Sequence, residues 1–205
     1  PVFDIKWEAS YKSSKNLDYV KAYIETIKDL AKKSTETDCI VCVGGGSYID
    51  TGKVLGVVEH TIQEFKPNSV VLPVITVPTT AGTGSEITKS SIIKFGDIKK
   101  GVRGENIFPK LAIVDPDLCD TLPLKLTKYT AFDAFCHSVE TYMSKKSTAY
   151  TRNLSEKSLK LIMESLPQVI KEFEENGKPS MGLRRNLSYA ALLQGLNLSN
   201  ASTCL

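Results

Sequence analysis

The sequence predicts an α/β domain over residues 1–122 followed by an all-helical domain over residues 123–205. Three observations lead there. CIVCV (39–43), VVLPVITVP (70–78) and LAIVD (111–115) are continuous apolar runs, separated by stretches of helical character. Strands that are apolar at nearly every position belong to a parallel sheet covered on both faces. From Leu124 to Leu205 no strong strand signal recurs, so the boundary falls near Leu122–Pro123.

Leu17, Val20, Ile24, Ile27 and Leu30 recur at helical spacing, with Ser14 or Asn16 as the cap. The first buried run, 39–43, ends in Gly44, Gly45 and Gly46, and a helix follows from Ser47 to about Val58. After the second run, ITKSSIIKF (87–95) and IKKGVRG (98–104) flank Gly96–Asp97 and read as a hairpin. Three helices follow near 125–144, 149–175 and 182–201, with the loop EENGKPSMG (174–182) between the last two.

Composition excludes several classes. The chain is 41% hydrophobic and 24% charged, the profile of a water-exposed globular protein. A net charge of +3 with scattered lysines gives no nucleic-acid surface, and no apolar run approaches a membrane span. Cys39 and Cys42 form a C-x-x-C pair, but positions three apart on a strand face opposite sides, so they read as buried reduced thiols. Reduced cysteines indicate a cytoplasmic setting.

Two loops carry chemistry. GGGSYID (44–50) joins a strand to a helix, where glycines admit a ligand to the backbone and the helix N-terminus offers free N–H groups to a pyrophosphate. Ser47 either adds a hydroxyl donor or caps the helix, and the plain alternative is a strand-to-helix turn. PTTAGTGSE (78–86) leaves the next buried strand with three threonines, a serine and two glycines. Both loops leave C-terminal strand ends, where open α/β sheets bind ligands.

AFDAFCHSVE (131–140) places Asp133 and His137 four apart, on one face of a helix. Such a pair is either an ordinary polar contact or half of a metal site. Glu140 lies near the same face and reads as structural, and His60 reads as a surface residue.

GGGSYIDTGK (44–53), VPTTAGTGSEIT (77–88), PKLAIVDPDL (109–118) and AFDAFCHSVE (131–140) together resemble the iron-containing, or group III, alcohol dehydrogenases. PTTAGTGSE separates that branch from glycerol dehydrogenase-like and dehydroquinate synthase-like relatives. The resemblance implies a dehydroquinate synthase-like fold, with an N-terminal dinucleotide-binding domain and a C-terminal helical one. It implies hydride transfer between NAD or NADP and a small alcohol or aldehyde, with Fe²⁺ (or Zn²⁺) in the cleft, and a homodimer or higher homo-oligomer. Residue by residue, it places Gly45, Gly46 and Ser47 on the pyrophosphate, with Asp50 nearby. It places Thr79, Thr80, Thr83 and Thr88 on the adenosine and nicotinamide side, Lys99 (or Lys100) on the cofactor from the hairpin, and Leu118 on the adenosine ribose. Asp133 and His137 match the first two metal ligands. PVFD resembles the family's second strand, and GLNLSNASTCL (195–205) resembles a helix that leads to two further histidine ligands. The expectation is therefore a chain truncated at both ends, with an incomplete metal site and no turnover of its own.

Overall fold

The computed structural model describes residues 39–56, 72–95 and 98–201, without the side chains of residues 94, 95 and 98–100. The helix expected through Leu17 to Leu30, the PVFD strand, His60 and the Gly96–Asp97 turn lie outside the described residues.

The sheet is parallel, as its apolar runs predict. Strands β1 (Ile40–Gly44), β2 (Val74–Pro78) and β5 (Leu111–Ala112) lie in the order β1-β2-β5, with Ile40 opposite Val74 and Ile75 opposite Leu111. Helix α1 (Gly46–Leu55) follows β1 and buries Ile49, Gly52 and Lys53 against Cys42 and Val74. A separate antiparallel hairpin pairs β3 (Ser90–Phe95) with β4 (Ile98–Arg103). Three helices complete the fold: α2 (Leu124–Met143), α3 (Ala149–Asn176) and α4 (Met181–Ala201).

Several boundaries differ from the sequence expectation, for local reasons. Helix α1 stops at Leu55 and not near Val58, because the Gly56 carbonyl accepts from the Leu72 N–H at 2.8 Å and turns the chain toward β2. LAIVD supplies only two strand residues. Asp115 accepts from the Asp117 N–H and starts a single 3-10 turn at Pro116–Cys119. Residues Ser85–Ile87 likewise form a 3-10 turn before the hairpin begins. The sheet is also not covered on both faces by the described residues: α1 packs on the Cys42 side, while Val41, Val43, Leu111 and Ile113 are exposed. Cys39, Cys42, Cys119 and Cys136 are free thiols; of the C-x-x-C pair Cys42 is buried as expected and Cys39 only partly so, and burial pushes the Cys42 thiol up to about 11.

The helical part has its own apolar core, centred on Ala131, Ala134, Ile162, Val169, Leu187 and Ala190. Beside it runs a seam of small hydroxyl side chains. The Ser138 hydroxyl donates to Ser158 Oγ at 2.9 Å, Thr141 and Ser155 pair at 3.0 Å, and the Asn197 amide donates to Ser155 Oγ at 2.9 Å. Small residues there let three helices approach closely while every hydroxyl keeps a partner.

Arg184 holds the junction. It is 2% exposed, and its guanidinium donates to the Leu122 carbonyl and the Thr127 hydroxyl at 2.8 Å each and to the Asp120 carbonyl at 3.3 Å. Arg184→Met removes these three hydrogen bonds at similar bulk, and the Leu122 carbonyl and Thr127 hydroxyl keep their mutual contact and the one to the Pro123 carbonyl. It is expected to lower unfolding free energy by about 2–4 kcal/mol, read from urea titration.

Candidate functional site

The candidate site lies at the C-terminal edge of the parallel sheet. Strand β1 runs into Gly44 and Gly45, and Gly45 caps α1 without a side chain to offer. By helix geometry the Gly46 and Ser47 N–H groups have no carbonyl four residues back within the helix. Ser47 is exposed beside them, so it stands with the free donors and is not the cap. The Thr79 N–H donates to the Gly44 carbonyl at 3.0 Å, which ties the second loop to the first.

The two loops touch. A Cβ on Gly45 would lie 3.3 Å from Thr80 Cγ2, and one on Gly46 would lie 2.7 Å from Thr83 Oγ1. Thr79, Thr80 and Thr83 are half-buried along this seam. Leu118 is exposed on the 3-10 turn after β5, at the same sheet edge. Lys99 and Lys100 stand opposite Lys94 and Ile93 in the hairpin, with their side chains outside the described residues.

Two expected cofactor residues turn inward. The Asp50 carboxylate accepts from the Ser85 hydroxyl, from the Ile92 N–H at 2.9 Å and from Lys53 Nζ at 3.2 Å. The Thr88 hydroxyl is buried, donates to the Ser90 carbonyl at 3.1 Å and accepts from Lys53 at 3.1 Å. Both residues shape the loop; neither presents its polar atoms to the seam. The resemblance places Asp50 beside the nucleotide and Thr88 on it; in this structure their polar atoms are taken up by Lys53, Ser85, Ser90 and Ile92.

Lys53 and Glu86 were not singled out in the sequence. Lys53 is fully buried, and burial pulls its ammonium down, opposed by Asp50. Glu86 is 3% exposed; burial pushes its carboxyl up to about 7, opposed by a hydrogen bond from its own backbone and by Lys53.

The second loop is also wedged against the helical part. Gly84 has φ 65°, open to glycine at little cost, and a Cβ there would lie 2.6 Å from the Gly195 Cα. The Gln194 amide donates to the Gly82 carbonyl at 2.7 Å, and a Cβ on Gly82 would lie 2.6 Å from Thr130 Cβ. Thr130 precedes Asp133 on α2 by about one turn. The loop after β2 and the helix of Asp133 and His137 are therefore joined through packed backbone.

On α2, His137 Nε2 stands 3.8 Å from Asp133 Oδ1, with the two side chains 26% and 43% exposed. A carboxylate and an imidazole are donors that divalent metals take, and the pair would close by a few tenths of an ångström to share one ion. His137 Nδ1 is buried without a partner. Glu140 is half-buried, and no group of three or more His, Cys, Asp or Glu residues that could hold a metal occurs among the described residues. The pair fits as a partial ligand set.

Comparison with known proteins gives the family. A family model described as iron-containing alcohol dehydrogenase matches residues 17–116, and one for the C-terminal part of the Fe-containing alcohol dehydrogenase family matches residues 127–205. The chain belongs to the iron-containing alcohol dehydrogenase family. Among relatives in the family, an NAD-dependent methanol dehydrogenase of Bacillus methanolicus is 36% identical over 82% of this chain and 45% of its own length. A sulfoacetaldehyde reductase of Bilophila wadsworthia is 33% identical over 89% of this chain and 50% of its own. The crystal structure of an iron-containing alcohol dehydrogenase from Thermotoga maritima superposes with TM-score 0.78 at 29% identity, over 92% of this chain and 51% of that one. A sulfoacetaldehyde reductase from Bifidobacterium kashiwanohense, solved with NAD+, does so with TM-score 0.78 at 26% identity, over 89% of this chain and 50% of that one. The chain spans about half the length of the curated relatives it matches.

Two expectations follow. Gly46→Ala drives a methyl into Thr83 and forces the loops apart, so NAD(H) affinity falls about tenfold or more, on the scale of about 1–3 kcal/mol for overpacking; isothermal titration reads it. Glu86 gives a pH signature. Between about pH 4.5 and 7 the folded protein keeps a proton that the unfolded chain has released, so stability falls as pH rises through that window and levels off above it. The loss is on the order of 3 kcal/mol. Urea titrations across pH should show the slope, and Glu86→Gln should flatten it.

Proposed function

We propose that this chain supplies the nucleotide cleft and two of the metal ligands of a metal-dependent oxidoreductase. The reaction moves a hydride between NAD or NADP and a small alcohol or aldehyde. The observation that carries the reading is the junction of the Gly45–Ser47 turn and the Thr79–Thr83 loop at one sheet edge, with that loop packed against the helix of Asp133 and His137.

In this reading the Gly45, Gly46 and Ser47 backbone holds the pyrophosphate. Thr79, Thr80 and Thr83 offer hydroxyls along the rest of the dinucleotide, Leu118 gives an apolar wall for the ribose, and Lys99 (or Lys100) reaches in from the hairpin. Asp133 and His137 hold Fe²⁺ (or Zn²⁺) from adjacent turns of α2. When bound, the metal supplies Lewis acidity at the substrate oxygen and the nicotinamide carries the hydride. Residues 1–122 form the dinucleotide-binding domain and 123–205 the start of the metal-binding one. Free thiols support a cytoplasmic setting, and the exposed Val41, Val43, Leu111 and Ile113 support a homodimer or higher homo-oligomer. Among the described residues no helix is long and apolar enough to cross a membrane.

A second reading has an observation of its own. In it the chain by itself is a nucleotide-binding module without turnover; among the described residues no group of three or more possible metal ligands supports a complete site. The two readings meet in one test. The 205-residue chain is expected to bind NAD(H), to bind Fe²⁺ or Zn²⁺ weakly, and to show no alcohol-dependent NAD(P)H formation. His137→Ala should abolish the residual metal binding and leave nucleotide affinity unchanged. Metal titration and fluorescence titration read both arms; a His137→Ala chain that binds metal as before removes His137 from the site, and turnover by the unaltered chain removes the second reading.

A further inference from the structure

Lysine at the end of GGGSYIDTGK invites the reading of a phosphate ligand, like the lysine of other glycine-rich loops. The structure places it elsewhere. Lys53 lies on the buried face of α1 with Ile49 and Gly52, and its ammonium points away from solvent altogether. Nζ donates to the Ser85 carbonyl and hydroxyl at 2.9 and 2.8 Å and to the Ser90 carbonyl at 2.5 Å. The Thr88 hydroxyl and carbonyl stand at 3.1 and 3.3 Å, and Asp50 Oδ1 at 3.2 Å. An ammonium has three protons to share among these acceptors. Asp50 closes the arrangement from the same helix by accepting from the Ser85 hydroxyl and the Ile92 N–H, while its carbonyl accepts from the Ser91 hydroxyl at 2.8 Å.

We propose that Lys53, paired with Asp50, is a positioning residue for the nucleotide cleft: it clamps residues 85–92 onto the helix that opens with the Gly45–Ser47 turn, and so sets where Thr79–Thr83 stand against that turn. The first half, the clamp, rests on the hydrogen bonds alone. The second half rests on the nucleotide reading above. Three features support it. Every Lys53 acceptor outside α1 lies in one short segment, 85–90. That segment follows Thr83 directly, and the Ser85 N–H donates to Thr83 Oγ1 at 3.2 Å. The charge is fully buried, so losing its acceptors carries the cost of an unpaired ion in low dielectric, and the segment has little freedom to drift.

The test uses the 205-residue chain and its Lys53→Met, Asp50→Asn and double variants. On each, hydrogen exchange is followed at the 85–92 amides, and affinity is measured for NADH and for ADP, which lacks the nicotinamide half. Lys53→Met is expected to lose protection at 85–92, the Ile92 amide included, while α3 keeps its own. NADH affinity should fall at least about tenfold, the scale of a charge-assisted hydrogen bond, and by more than ADP affinity. Asp50→Asn should act in the same direction, and the double variant should be no worse than Lys53→Met, since the pair works as one unit. If Lys53→Met does not fold, Asp50→Asn carries the same readouts. Unaltered protection at 85–92 overturns the clamp. Lost protection with unaltered NADH affinity overturns its role in the cleft, and equal losses for ADP and NADH mark a general loss of fold and overturn it too. A wild-type chain that binds neither nucleotide refutes the proposed function and with it the cleft half; the exchange pattern then decides the clamp.

Discussion

A fully buried ammonium sits under the two loops of the cleft, and the local architecture follows from the need to satisfy it. Lys53 cannot reach water, so its protons must find oxygen atoms within the protein. It finds them on Ser85, Thr88, Ser90 and Asp50. The loop after β2 and the start of the hairpin are thereby drawn onto α1. The glycine turn that begins α1 and the threonines that precede Ser85 then face each other at van der Waals distance. Isolated, a loop as rich in glycine and threonine as 79–84 would sample many conformations. Here both ends are tied: the Thr79 N–H to Gly44, and Ser85 to Lys53.

The same loop transmits position to the helical part by contact at the smallest available side chains. Gly84 meets Gly195, Gly82 meets Thr130, the Gln194 amide reaches the Gly82 carbonyl, and the Ser199 hydroxyl reaches the Ile87 carbonyl at 3.1 Å. Such contacts leave little tolerance, because a single methyl group added at either glycine meets backbone on the other side. Helix α2 is fixed in turn by the hydroxyl seam with α3, and the junction before it by Arg184. The separation between the glycine turn and the Asp133–His137 pair is thus set by a chain of close contacts, with no long side chain to bend.

Much of this was legible in the sequence. The apolar runs give β1 and β2, and the helical periodicity gives α2, α3 and α4 to within a residue or two of their ends, because each signal is local. The errors are tertiary in origin: α1 stops at Gly56 because Leu72 bonds there, and β5 is cut short by the Asp115 turn. The partners that Asp50 and Thr88 take inside the fold were not readable, since sequence shows that a polar side chain is near a loop and not which way it points. Lys53 had a signal, its place four residues after Ile49 on the buried face of α1, but a lysine ordinarily reads as solvated. Glu86, Arg184 and Gln194 had none, because their burial is made by segments far away in the chain.

Burial also explains why the charges of the cluster come out as they do. Desolvation is the first cause of both shifts, and it moves Lys53 and Glu86 in opposite directions on the pH scale but toward the same end, the neutral form. Asp50 differs in kind from Glu86. It receives hydrogen bonds from an ammonium, a hydroxyl and a backbone N–H, three donors converging on one carboxylate. One ammonium facing one such carboxylate is a neutral pair. Ionising Glu86 as well adds a second negative charge within reach of the same Lys53, inside the fold. Burial keeps the Glu86 carboxyl protonated to a higher pH than a solvated one, and so keeps that second charge out of the fold below about pH 7.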